Sequence, residues 1–273
     1  MDNTTRLARL KEKDYQKIFG VTKPIFEEML EILEETYQQE HRRGGHPPKL
    51  SVLDKLVIML GYYRDYRTME SIAFDYGVSK STVYESIRWA EESLMKSNKF
   101  SLPSKKALID DLDIEVVFID ATECEIERPK KKQKRYYSGK KKRHTLKVQL
   151  IVDAKTLNII CFTVAQGHVH DFRIFKECGV YIPERIKTIV DTGYVGIDGI
   201  HKNSLVPRKS SKNHPLTDED KAYNHEISRQ RIHIEHVNRY IKRFRIFSSR
   251  YRNKRMRFAF RFSLVCGIFN KQH

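Results

Sequence analysis

The stretch EVVFIDAT, residues 115–122, marks the point where the hydrophobic period of the chain changes from helical to strand-like. Three further apolar segments follow it: TLKVQLIVD (145–153), NIICFTVAQ (158–166) and RIKTIVD (185–191). A helical segment is expected at 171–178, before the fourth strand, and a fifth short strand at 203–207. This succession of strands and helix predicts a mixed β-sheet.

Two helices complete this half of the sequence. The first is predicted from Thr217 to about Phe244, and a basic terminal helix is predicted from Lys254 to Phe269. The ribonuclease H-like fold has this order of elements: three strands, helix, strand, helix, strand, helix. We therefore predict an α/β protein whose residues 109–273 form a ribonuclease H-like mixed-sheet domain.

Residues 1–108 are predicted to be all-α. The segment PIFEEMLEILEETYQQ (24–39) has apolar residues at helical spacing, and 51–64 has the pattern of a second helix. Between them, the stretch 41–49 contains two Gly and two Pro and is expected to be a loop.

The segment 67–94 has the pattern of a helix-turn-helix, within a unit of about 51–95. Gly77 permits a sharp turn after an apolar stripe, and Ser79 can cap a second helix with its own buried face. The outward positions of that helix would face the major groove or its phosphates; they are Lys80, Ser81, Tyr84 and Arg88. The alternative is a plain helical hairpin that packs the N-terminal region.

Basic charge is concentrated in the second half. The net charge of the chain is +17, yet residues 1–125 carry 18 basic and 23 acidic side chains, against 34 and 12 in the remainder. The insertion 128–143, RPKKKQKRYYSGKKKR, has ten basic residues and no acid. Such a run favours a polyanion partner, although a solvated loop is the alternative. Its candidate phosphate contacts are Lys130, Lys131, Lys132, Lys134, Arg135, Lys140, Lys141, Lys142 and Arg143.

Secreted and membrane-spanning classes are not favoured. The longest apolar runs, such as 158–165, are far shorter than the roughly 20 residues of a membrane span. The first ten residues lack an apolar signal core, and the four cysteines include no C-x-x-C pair. A cytoplasmic protein is expected.

Two aspartates end apolar strands. Asp120 lies within VVFIDAT, and Asp191 ends TIVD before the turn TGYVG. A buried carboxylate is costly unless it is paired or binds a cation, and ligands bind at the carboxyl ends of strands in open α/β sheets. Each aspartate alone could instead cap the following turn. Together they favour a site.

A third carboxylate follows from helix geometry. At about 100° per residue, the long helix has an apolar stripe made of Ile227, Ile234, Val237, Ile241 and Phe244. Its adjoining face carries Arg231, Glu235, Asn238 and Lys242. Glu235 could thus point toward Asp120 and Asp191, or it could form only a surface ion pair with Arg231.

These segments resemble the DDE transposases of bacterial insertion sequences, in particular the insertion-sequence-five branch and its Harbinger-like relatives. The resemblance is carried by IDAT at Asp120, VDTGYVG at Asp191, R-x3-E-x6-K from Arg231, and GHVHDFRIF from Gly167. One departure is Ser228, where the family pattern often has Tyr.

The resemblance implies an enzyme that cuts transposon ends and joins the 3′-hydroxyl to target DNA. Asp120, Asp191 and Glu235 would be catalytic and would bind two Mg²⁺ or Mn²⁺ ions, with Asp120 shared between them. Arg231, Arg239 and Lys242 would contact DNA, and His170 would support the site. The partner would be double-stranded DNA, both transposon ends and target, bound by a homodimer or higher oligomer at the bacterial nucleoid.

Two alternatives stay open. The chain could be a metal-dependent endonuclease of the same fold that does not join strands, or a domesticated DNA-binding protein with an inactive site. A zinc site at His168 and His170 is disfavoured, because no nearby Cys or third His supports it.

Overall fold

The computed structural model describes residues 3–44, 48–212 and 215–273. Its helices are α1 (Asn3–Leu7), α2 (Glu12–Phe19), α3 (Lys23–Glu40), α4 (Val52–Asp65), α5 (Met69–Tyr76), α6 (Lys80–Lys96), α7 (Ala107–Asp110), α8 (Gln133–Tyr136), α9 (Asp171–Glu177), α10 (Asp218–Arg243), α11 (Arg245–Ser248) and α12 (Phe258–Gln272). Its strands are β1 (Val116–Glu125), β2 (Tyr137–Ser138), β3 (Arg143–Asp153), β4 (Ile159–Gln166), β5 (Lys187–Ile189) and β6 (Ser204–Leu205). The predicted order, helical region first and mixed-sheet α/β domain second, is confirmed. Part of the predicted loop, residues 45–47, lies outside the described residues.

The strands form a mixed sheet in the order β4, β3, β1, β5, β6. β1, β3 and β4 pair antiparallel, whereas β1, β5 and β6 pair parallel. The five strands predicted from apolar periods are confirmed. β2 is an addition, because part of the basic insertion pairs with the start of β3. This arrangement agrees with the predicted ribonuclease H-like sheet.

The helix-turn-helix consists of α5 and α6. Thr68 and Ser79 cap the two helices through their side-chain oxygens, as Ser79 was predicted to do. Gly77 has a φ of 61°, in the left-handed region that glycine adopts without strain. Val83 and Ile87 on α6 are fully buried, so the apolar spacing of the sequence does define the inner face.

The chain divides into two compact units. The helical unit comprises Met1–Ser101, Ile241–Ser249 and Asn253–Gln272, and the sheet unit contains Leu102–Tyr240 and Arg250–Arg252. The sequence interpretation grouped the basic terminal helix with the sheet domain, whereas its packing places it in the helical unit. The buried residues of α12 pack inside the helical unit, where Gly267 allows the Phe100 carbonyl to approach so closely that a Cβ would lie 1.9 Å from its oxygen.

A buried charge network joins the last basic segment of the chain to the helix-turn-helix. Glu91 on α6 is fully buried and accepts hydrogen bonds from Tyr63, Arg257 and Arg261 at 2.7 to 3.0 Å. Each of its two carboxylate oxygens therefore has a charged donor, which offsets the cost of burying the charges. The segment thus stabilises the helical unit in addition to supplying surface charge.

The sheet unit has its own apolar core. Val117 and Ile119 of β1 pack with Ile151 of β3, Phe175 of α9 and the buried Tyr194. Within the described residues, no helix is both long and apolar enough to cross a membrane.

Candidate active site

Asp120 lies within β1, and Asp191 lies two residues beyond the end of the adjacent strand β5. β1 and β5 are parallel, with Phe118 opposite Ile189. Both chains continue in the same direction for two more residues, which brings Asp120 beside Asp191. The charge of Asp191 acts on Asp120, so the two carboxyl groups lie near each other.

Asp191 also shapes its own turn. It is the N-cap of the 3₁₀ turn Thr192–Tyr194, and its Oδ1 accepts a 2.9 Å hydrogen bond from the Gly193 amide. The capping role considered from the sequence is therefore real. This capping bond uses only one carboxylate oxygen of Asp191, so the other oxygen can still bind a ligand.

Asp120 faces helix α10. Its Oδ1 accepts a hydrogen bond from an Arg231 guanidinium nitrogen at 3.0 Å, and its Oδ2 accepts one from Asn238 Nδ2 at 2.7 Å. The apolar stripe predicted for this helix is buried, which fixes the helix rotation. Arg231 thus pairs with Asp120, whereas the surface-pair alternative placed it with Glu235.

Burial raises the pKa of Asp120 to about 6 from its ordinary value of 3.8. The Arg231 charge opposes this shift, whereas the negative charges of Asp191 and Asp171 add to it. The carboxyl groups thus lie within electrostatic reach of one another and form a negative site with insufficient positive charge to balance it.

Neutralising Asp120 should stabilise the metal-free protein at neutral pH. Because the folded-state pKa exceeds the ordinary value, the folded state binds this proton more tightly than the unfolded state, so ionisation destabilises the fold. The cost is absent below about pH 4, develops between about pH 4 and 6, and is complete above about pH 6. We expect Asp120→Asn to raise the free energy of unfolding by roughly 1–3 kcal/mol at about pH 7.5 and by much less at about pH 4. Urea denaturation at both pH values measures this, and equal stabilisation at both would contradict it.

Asp171 is a third carboxylate of the site that the sequence interpretation missed. It is the first residue of α9, and its Oδ1 accepts a 2.8 Å hydrogen bond from Lys147 Nζ. A Cβ at Gly193 would lie 2.8 Å from Asp171 Oδ2 and 2.9 Å from Asp191 Oδ1. The two carboxylates therefore line the same small space, which glycine leaves open.

Glu235 is exposed on α10, between Arg231 and Asn238 in the sequence. At about 100° per residue, it lies roughly 40° around the helix from Arg231 and 60° from Asn238, so it borders the face that contacts Asp120. In the part of the chain that the structure describes, no three His, Cys, Asp or Glu side chains are grouped so that they could hold a metal ion. Asp120 is instead engaged by Arg231 and Asn238.

The chemistry of the donor set fits a hard divalent cation. Such ions prefer carboxylate and carbonyl oxygens. The site offers Asp120, Asp191 and Asp171, and the carbonyl oxygen of Asn238 is buried without a hydrogen-bond partner. A bound cation would offset both the burial that chiefly raises the pKa of Asp120 and the smaller repulsion from Asp191 and Asp171.

The predicted groove-facing positions of α6 lie on the surface. Lys80, Ser81 and Arg88 are exposed, and the Tyr84 side chain is accessible, with 41% of the residue exposed. Lys80 pairs with Glu70, and Arg88 pairs with Glu92 at 2.8 Å. Both are solvent-exposed pairs, which exchange easily for phosphate contacts because solvent already screens them.

The basic insertion is partly ordered as α8 and β2, and the basic side chains predicted as phosphate contacts are all exposed. His168 ties the insertion to the sheet, since both its backbone amide and its Nδ1 contact the Arg135 carbonyl. Gly167 is required there, because a Cβ would lie 2.7 Å from the Tyr136 carbonyl oxygen. The insertion therefore presents its lysines from an anchored segment.

The remaining predicted residues lie at the surface of their elements. Arg239 and Lys242 are exposed on α10, and so is Ser228. His170 is the exposed N-cap residue of α9 and makes no side-chain capping bond.

Neighbouring carboxyl groups on a ribonuclease H-like sheet, together with an exposed helix-turn-helix, are typical of metal-dependent DNA nucleases. The comparisons with known proteins agree. Residues 119–270 match the DDE superfamily endonuclease family, and residues 48–99 match the helix-turn-helix of DDE superfamily endonucleases. The chain is 42% identical, over 97% of its length and 96% of the relative's, to the "Probable transposase for insertion sequence element IS702" of Microchaete diplosiphon. No solved structure matches significantly.

The chain therefore belongs to the DDE superfamily of endonucleases, as a bacterial insertion-sequence DDE transposase. Its helix-turn-helix implies DNA binding, and the superfamily is generally dependent on divalent metal ions. The resemblance found in the sequence motifs is confirmed.

Proposed function

We propose that this transposase cuts the ends of its element and joins the freed 3′-hydroxyl to target DNA at a site formed by Asp120, Asp191 and Glu235. The observation that carries the proposal is the proximity of Asp191, just past the end of β5, to Asp120 on β1, which contacts the face of α10 that Glu235 borders. Three carboxylates of this kind are suited to two Mg²⁺ or Mn²⁺ ions.

Divalent cations at this site would activate the attacking oxygen and stabilise the leaving oxygen of the scissile phosphate. The chain's own residues prepare for that chemistry. Asp120 is held in position by donors from α10, and Arg231 lies where it can turn from Asp120 to a phosphate oxygen. The buried strand ends exclude bulk water from one side of the reacting group.

Recognition and affinity would be divided between two regions. The exposed face of α6 would read the sequence of the transposon end, and the lysines of residues 128–143, with Arg239 and Lys242, would hold phosphates of end and target DNA. Two ends must be held together for insertion, so the active form would be a homodimer or higher oligomer at the bacterial nucleoid.

Separate replacement of the two regions should give different defects. Replacing Lys80, Tyr84 and Arg88 with Ala should reduce the preference for end DNA over random DNA. Changing Lys130, Lys131 and Lys132 to Gln should weaken binding to both and lower the slope of log Kd against log salt by roughly one for each phosphate that is no longer neutralised. Fluorescence anisotropy over a salt series measures both quantities, with Lys13→Gln on the exposed side of α2 as the control. Normal discrimination by the α6 variant would assign α5 and α6 to packing.

Strand transfer separates this proposal from an endonuclease that only cuts. The substrate is a labelled duplex containing one element end, taken from the inverted repeats that should flank the gene, together with a supercoiled plasmid and Mg²⁺. We expect 3′-end cleavage followed by covalent joining of the labelled strand to the plasmid. Cleavage without joined product, from duplexes that contain either one end or two, would support the endonuclease alternative.

A further inference from the structure

We infer that Asn238 belongs to the cation site, where it positions Asp120 and presents its own carbonyl oxygen to the ion or to the ion's water shell. This inference rests on the proposed function of Asp120 as a metal ligand. None of the sequence motifs that carry the family resemblance includes Asn238 as a defining position.

The burial of Asn238 is the first observation. It shares a polar face of α10 with the partly buried Arg231 and the exposed Glu235, and only 9% of the residue is accessible. A buried amide must find partners for its polar atoms or lose stability. Its Nδ2 has one, the Asp120 Oδ2 atom at 2.7 Å.

The second observation concerns the oxygen atom of the Asn238 side-chain amide. The Asn238 Oδ1 atom is buried and has no hydrogen-bond partner. Covalent geometry separates the two amide atoms by only about 2.2 Å, so Oδ1 lies within roughly 5 Å of the Asp120 carboxylate. Asp120, when ionised, can only accept hydrogen bonds, which fixes nitrogen toward Asp120 and leaves the oxygen for another partner.

Arg231 supplies the third observation. It lies seven residues before Asn238, on the same face, and binds the other oxygen of Asp120. Its Nε is also buried without a partner. One of these two atoms is a donor and the other is an acceptor. Arg231 Nε needs an acceptor, such as a phosphate oxygen, whereas Asn238 Oδ1 needs a cation or a water that donates a hydrogen bond to it. A hydrated divalent cation bound to a phosphate provides both.

The test measures Mn²⁺ binding rather than catalysis. Purified full-length variants are titrated with Mn²⁺ alone, by electron paramagnetic resonance, and their melting temperatures are recorded. We expect Asn238→Ala to weaken Mn²⁺ binding about tenfold with little change in melting temperature, because it removes both the donor to Asp120 and the free oxygen. Asn238→Asp keeps an oxygen at the same place, adds charge, and should bind Mn²⁺ at least as tightly as the unmodified chain. His236→Gln, an exposed neighbour on α10, is the control.

Asp120→Asn in the same titration distinguishes the role of Asn238 from the existence of the cation site. If Asp120→Asn loses Mn²⁺ binding while Asn238→Ala keeps it, the role of Asn238 is overturned and the proposed site stands. If Asn238→Ala only lowers the melting temperature, the residue serves packing, which also overturns the inference. Mn²⁺ binding that is absent from the unmodified chain, or unchanged in Asp120→Asn, would overturn the cation site itself.

Discussion

Asp120→Asn is expected to slow single-turnover cleavage of transposon-end DNA by roughly a thousandfold or more, while the Kd for that DNA changes by no more than about twofold. The substitution keeps the volume of the side chain and can still accept a hydrogen bond from Arg231. It removes the negative charge that a hard cation requires. Affinity should be retained because, in the proposed binding mode, it comes mainly from basic side chains elsewhere, on α6 and on residues 128–143.

Asp191→Asn should behave in the same way, and Asp198→Asn provides a matched control. Asp198 is an exposed carboxylate in the 3₁₀ turn Ile197–Gly199, which follows the turn that Asp191 caps. Its replacement should leave cleavage unchanged. If the Asp120 and Asp191 variants both cleave normally, the assignment of the active site to these strand ends is wrong.

Glu235→Gln is expected to reduce cleavage by several orders of magnitude with a melting temperature within about 2 °C of the unmodified chain. The side chain is exposed, so its replacement removes no buried contact. Gln keeps the volume but lacks the charge. Mn²⁺, which tolerates altered ligands better than Mg²⁺ does, should restore a trace of activity.

The control is Glu226→Gln, an exposed carboxylate nearer the start of α10 that accepts a hydrogen bond from Gln230. A cleavage rate of Glu235→Gln within a few-fold of that of the unmodified chain would contradict the three-carboxylate mechanism. The remaining pair of aspartates would then need another ligand. Asp171 would be the first residue to test, because it shares the space beside Gly193 with Asp191.

The strands and the helix-turn-helix follow from local sequence. The continuous apolar run Val117–Ile119 indicates a buried strand, and Gly77 and Ser79 fix where one helix stops and the next begins. The apolar spacing of α12 likewise shows that this helix has a buried face. That spacing does not show which unit packs against the face, because the residues that contact it, Phe100 and Glu91, lie far away in the sequence.

The site was predictable only in part, for the same physical reason. Asp120 and Asp191 could be placed together because each follows a short apolar run within a predicted strand, which is a local signal. The contact of Asp120 with Asn238 spans 118 residues, and that of Asp171 with Lys147 spans 24, so neither leaves a trace in local periodicity. Asn238 was visible on the face of α10 that carries Arg231 and Glu235, but its burial was not.

The central claim is that Asp120, Asp191 and Glu235 are metal ligands, and exchange of each for Cys tests it most directly. Sulfur is a soft ligand that Mg²⁺ binds poorly and Mn²⁺ accepts more readily. The measurement is single-turnover cleavage of end DNA by the three Cys variants in Mg²⁺ and in Mn²⁺. We predict that each variant is inactive in Mg²⁺ and regains measurable cleavage in Mn²⁺, whereas the corresponding Ala variants are inactive in both. Full activity of a Cys variant in Mg²⁺, or failure of Mn²⁺ to restore cleavage to any of the three, would contradict the claim.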